Sequence, residues 1–157
     1  MIKRTYFDTY DGEGWPDVEW LESYFLTEAG RQKFFADGND SWGLKAYGLG
    51  GSESQSPLNG RVDVDLTILG HPELGILLCY DQSTASGRRT YFSKGNMARL
   101  NESVETFHGD RVPAGLFLPF QLAWSAIKQF IETEGDLPRC IAWLSADDLP
   151  ADAFQRS

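Results

Sequence analysis

The chain is short of the residues from which metal sites and nucleophiles are usually built. Its 157 residues include two cysteines and two histidines, too few for a Cys/His zinc cluster and without any Cys-x-x-Cys spacing. No His-Glu-x-x-His, Gly-x-Ser-x-Gly or phosphate loop ending in Gly-Lys-Ser/Thr occurs. His71 precedes Pro72 and His108 precedes Gly109, so both read as loop residues with no nucleophile beside them. The run GLGG at 48–51 lacks the following helix and the downstream acid of a dinucleotide site. The expectation is a protein that is not an enzyme and takes no cofactor and no metal.

Long apolar runs are also missing. No stretch reaches the ~18 apolar residues of a spanning helix, and MIKRTYFDTYDGEG lacks the apolar run of a secretory signal. A cytoplasmic protein without membrane contact is expected. Cys79 in GILLCY and Cys140 in RCIAW then read as two buried thiols in a reducing compartment.

Cations are the third shortage. Fourteen Lys and Arg stand against 23 Asp and Glu, a net charge of −9. Such a surface repels phosphate backbones, which argues against a direct nucleic-acid ligand, and attracts a basic protein. The same balance also serves solubility alone.

What is present is ordinary globular material, with 41% hydrophobic and 24% charged residues. The length suits one domain over 1–157, with a flexible Gly/Ser-rich loop near 48–60 and a short C-terminal tail. A first helix is expected after Trp15, with Pro16 in its first position, Asp17 and Glu19 at its positive end and Gly30 as its stop. Val18, Leu21, Tyr24 and Phe25 form its apolar stripe.

From Trp42 the pattern changes to strands: WGLKAYG, RVDVDLTILG, ELGILLCYD, RRTYFSKG and ESVETFHG. In the second of these, Val62, Val64, Leu66 and Ile68 alternate with Asp63, Asp65 and Thr67. GILLCY is apolar throughout and reads as a central strand covered on both faces. Phe120, Ala123, Trp124, Ile127, Phe130 and Ile131 fall at helical spacing between Pro119 and Gly135, and RCIAWL reads as a last strand. The fold class is α+β, an antiparallel sheet of about five or six strands with two main helices packed on it.

Two acidic groupings are candidates for contact with a partner. One comprises Asp8, Asp11, Glu13, Asp17, Glu19 and Glu22, interleaved with Tyr6, Tyr10, Trp15 and Trp20, a mixture of steering acids and aromatic anchors. The other is Asp63 and Asp65 on one strand face, roughly 6.5–7 Å apart along it by the ~3.3 Å rise, with Asp81 as neighbour. Solvated helix charge and core aromatics are the plain reading of the first, solvated strand charge that of the second.

Val112 to Pro150 resembles the hallmark segment of the first immunity-protein family of bacterial polymorphic toxin systems. The matching positions are Val112, Pro119, Ala123, Trp124, Phe130, Ile131, Gly135, Pro138 and Trp143, and GILLCYDQ and Gly95 fit the preceding order. The resemblance implies a protein that binds and neutralises a cognate toxin domain, commonly of the nucleic-acid deaminase class. A monomer in a 1:1 complex is expected, its acidic surface set against the toxin's basic nucleic-acid cleft. An intracellular adaptor for a basic protein is the alternative, and a small carboxylate-dependent hydrolase is a further one.

Overall fold

The computed structural model describes residues 1–7 and 10–155. It opens with a hairpin of β1 (Ile2–Phe7) and β2 (Tyr10–Glu13), followed by α1 (Val18–Leu26) and α2 (Glu28–Phe34). Four longer strands follow: β3 (Ser41–Tyr47), β4 (Asp63–His71), β5 (Gly75–Thr84) and β6 (Gly87–Ser93). The rest is β7 (Ser103–Glu105), β8 (Arg111–Pro113), β9 (Phe117–Leu118), α3 (Phe120–Glu132) and β10 (Trp143–Ser145). The class is α+β as expected.

The sheet is larger than expected. Its eight antiparallel strands run β10-β6-β5-β4-β3-β1-β2, with β9 beside the start of β5. The first hairpin was absent from the sequence reading. ESVETFHG does not join this sheet: Ser103–Glu105 pairs with β8 in a separate two-stranded sheet. RCIAWL contributes only its end, since β10 begins at Trp143.

Side chains of the sheet alternate between two faces, and residues opposite each other on neighbouring strands share a face. One face presents Phe7, Trp42, Leu44, Ala46, Val64, Leu66, Ile68, Ile76, Leu78 and Tyr80 to the helices. Leu21, Tyr24 and Phe25 of α1 and Ala123, Trp124, Ile127 and Phe130 of α3 close that core. Phe25 stacks on Trp124 with ring centres 5.4 Å apart, locking the two helices together. The opposite face is covered at one end only, where Leu77 packs with Val112, Leu116 and Phe117. Strand β5 is therefore covered on both faces over its apolar half, as its unbroken hydrophobic run foretold.

The first helix does not end at Gly30. It breaks at Thr27, whose extended backbone caps α2 and whose Oγ1 accepts from the Gly30 N–H at 2.9 Å. Gly30 is instead a point of close approach, since a Cβ there would lie 1.8 Å from the Ser23 carbonyl oxygen. The helix also begins two residues later than Pro16 suggests, at Val18, with Asp17 in the capping position. Gly135 does end the α3 segment: it has φ of 105° and donates to the Phe130 carbonyl.

Cys140 is a further correction. It lies exposed in the segment before β10, its N–H held by Gln129 Oε1 at 3.1 Å, and only Cys79 is substantially buried. The Gly/Ser-rich loop has internal order in its first half, a 3₁₀ segment Leu49–Ser54 in which Ser52 Oγ donates to Leu49 O and accepts from Val62 N. No helix among the described residues is long and apolar enough to cross a membrane.

Candidate functional site

The uncovered half of the second sheet face gathers five of the candidate carboxylates. The register places Asp11 opposite Tyr6 and Glu13 opposite Arg4 on the first hairpin. Arg4 in turn faces Lys45, Lys45 faces Asp65, Asp65 faces Asp81, and Asp81 faces Thr90. A single polar row thus crosses six strands from Glu13 to Thr90. Asp63 lies one pair along, between Tyr47 and Ser83.

These acids are not bare. Arg61 grips Asp63 with Nε and Nη2 at 2.9–3.2 Å, and the Gly48 N–H adds a bond at 3.1 Å. Lys45 Nζ stands 3.6 Å from Asp65. Arg88 reaches Asp81 at 3.0 Å, and the Thr90 hydroxyl donates to the same carboxylate. The Cys79 thiol also donates to Asp81 at 3.6 Å, and burial together with the Asp81 charge pushes that thiol far above its ordinary range, so it stays protonated. The face is therefore banded, with Arg4 and Lys45 on one side of the aspartates and Arg88 on the other.

Within it lies a hollow of about 240 Å³ lined by Lys45, Tyr47, Asp63, Asp65, Asp81 and Arg88. Asp65 is the group under most tension there. Burial pushes its carboxyl above the usual range, Lys45 opposes that shift and the Asp81 charge adds to it. Its Oδ1 is buried without a hydrogen-bond partner among the described residues.

The remaining candidates fall elsewhere. Asp8 lies outside the described residues. Tyr10 pairs with Phe7 and so turns to the helix side, where its ring lies 6.2 Å from Trp20. Trp15 packs on Phe130 with ring centres 5.0 Å apart and donates Nε1–H to the Lys45 carbonyl, half-buried against the core. Asp17 and Glu19 are exposed at the start of α1, with Glu22 one turn on, and none of the three forms an ion pair among the described residues. Trp20 lies beside them, 43% exposed, one side against Phe7 and Tyr24. The first acidic grouping is therefore split: Asp11 and Glu13 share the sheet face with Asp63, Asp65 and Asp81, whereas Asp17, Glu19 and Glu22 lie on α1 or at its start.

Sequence reasoning missed the cations of the sheet face, Arg4, Lys45 and Arg88, which come together only through strand register. His71 has a structural task, its Nδ1 accepting from the Glu73 and Leu74 N–H groups at 3.1 Å to hold the turn after β4. No group of three or more His, Cys, Asp or Glu among the described residues is placed to hold a metal ion.

The family model described as Immunity protein Imm1 matches residues 36–145, well over half of the chain. The chain belongs to that family. Its membership makes it a toxin-neutralising immunity protein whose partner is a cognate toxin protein. In this Imm1 chain the match runs from before β3 through β10 and includes Asp63, Asp65 and Asp81. The β1–β2 hairpin, α1 and α2 lie outside it. No curated protein and no solved structure matches the chain.

Proposed function

We propose that this Imm1 chain acts in the cytoplasm by stoichiometric, non-enzymatic binding to a toxin of the nucleic-acid deaminase class, as a monomer in a 1:1 complex. The match to the immunity family over residues 36–145 carries this reading. The charge supports it: a net −9 attracts the basic cleft that a nucleic-acid enzyme needs and competes with the phosphates of its substrate. A deaminase must admit a base to its zinc site, so a protein seated over the mouth of that site stops turnover without chemistry of its own.

The test is growth rescue. Co-expression with the toxin domain encoded beside the gene restores growth, and the two proteins co-purify at equal stoichiometry. Persistent mutation of cytosine or adenine in cells lacking the immunity protein identifies the deaminase class. Rescue of cells from a toxin with a different chemistry would overturn that class, and failure to rescue or co-purify would overturn the reading.

A further inference from the structure

The open half of the sheet breaks two local rules at adjoining positions, and the folded chain offsets them only in part, through Lys45 at 3.6 Å from Asp65 and Arg88 at 3.0 Å from Asp81. Asp65 and Asp81 stand directly opposite on β4 and β5, where like charges weaken the pairing of two strands. Gly43 interrupts β3 between Tyr6 and Thr67 of the same face. A Cβ at Gly43 would meet nothing nearer than Asp65 Oδ1, at 3.7 Å, an ordinary contact. Its φ lies outside the left-handed region. Gly43 is itself buried, yet neither crowding nor a left-handed backbone calls for glycine there. A strand glycine marks a bulge, a bend or a close approach, and the continuous register of β3 shows no bulge. Tyr6 flanks this position, 43% exposed, with Lys45 Nζ 5.1 Å from its ring centre.

Local rules broken together gather at functional surfaces. Resting on the family function above, we propose that the toxin docks on this half-face. It covers Tyr6 beside Gly43, and it places an arginine or lysine side chain in the hollow against Asp65 and Asp81. The sign of the partner's group follows from the seat. A cation between the two carboxylates relieves their repulsion, whereas a phosphate or carboxylate would add a third negative charge. A guanidinium suits the seat best, because its planar fork can serve two acceptors. Arg88 already shows that a guanidinium reaches Asp81 from the rim, with a side chain 68% exposed that a partner can displace.

The experiment compares variants against the toxin domain recovered in the rescue assay, with titration calorimetry for affinity and thermal denaturation for the free protein. Asp65→Asn keeps the side-chain shape and removes the charge. It is expected to melt at or above the wild-type temperature and to bind at least ten-fold more weakly. Gly43→Val adds bulk on the docking face and is expected to lose binding while its circular dichroism stays native. Wild-type affinity in both variants, with binding lost in Asp17→Lys/Glu19→Lys, would overturn the proposal in favour of the α1 edge and leave the immunity function standing. A wild-type protein that neither binds nor rescues would instead remove the immunity reading and this surface with it.

Should either variant fail to fold, hydroxyl-radical footprinting of the wild-type complex decides. Tyr6 is oxidised in the free protein and protected in the complex; equal oxidation in both states would overturn the proposal.

Discussion

Replacement of Ser93 by alanine tests how the two covered layers are joined. Strand β5 changes partners along its length, pairing with β9 at Ile76 and Leu77 and with β6 from Cys79 onward. Leu78 falls in the gap, and its N–H is taken up by Ser93 Oγ at 2.9 Å. The same hydroxyl donates to the Leu116 carbonyl at 2.6 Å, and Ser93 is wholly buried. Ser93→Ala therefore strands one donor and one acceptor in the interior. Each unpaired buried group costs about 1–3 kcal/mol, and partial relaxation brings the pair to about 3 kcal/mol. A domain of this length loses about 2–4 °C of melting temperature per kcal/mol, so the expected fall is about 6–12 °C. Differential scanning calorimetry reads this directly, with Ser125→Ala as control, since that exposed hydroxyl bonds only within its own helix. A melting temperature within a degree of wild type, or an equal fall in the control, would refute the argument.

Other predictions address the helices, the sheet face and the charge. Thr27→Ala removes the cap of α2 and should cost about 1 kcal/mol in urea unfolding. Gly30→Ala forces a methyl against the Ser23 carbonyl and should cost about 3 kcal/mol, read in the same assay. Asp65 has its folded pKa raised, so its contribution to stability is fully present below the unfolded pKa and is lost as pH rises through the folded one. Asp65→Asn should accordingly gain most over wild type at neutral pH and progressively less toward acid, in parallel pH–stability curves. Association with the toxin should slow as salt rises from low to physiological strength while dissociation changes less, measured by stopped-flow mixing.

The parts of the fold that could be read in advance are those whose side chains carry one strong period. Helix α3 shows its face because Ala123, Trp124, Ile127 and Phe130 recur at helical spacing and are all buried. Strand β4 shows its alternation because Val64, Leu66 and Ile68 face the helices while its aspartates do not. The β1–β2 hairpin escaped for the opposite reason. Along β1 the buried positions are Thr5 and Phe7, with Lys3 on their side and the exposed Tyr6 on the other, so no clean apolar period exists. The break at Thr27 was hidden by a run of helix formers continuing to Gly30. For the candidate site, the acids were visible in sequence but their partners were not. Lys45 meets Asp65, Arg88 meets Asp81 and Arg4 lies opposite Lys45 through strand register, a tertiary property. That is why a grouping first read as uniformly acidic is in fact banded.

If this Imm1 chain works by occupying a surface of its toxin, as proposed, a titration of toxin activity tests it most directly. Activity should fall linearly with added chain to zero at one equivalent, and toxin released by denaturation and refolding should regain full activity with unchanged mass. Complete inhibition at a small fraction of an equivalent, with a covalently altered toxin recovered afterwards, would contradict it.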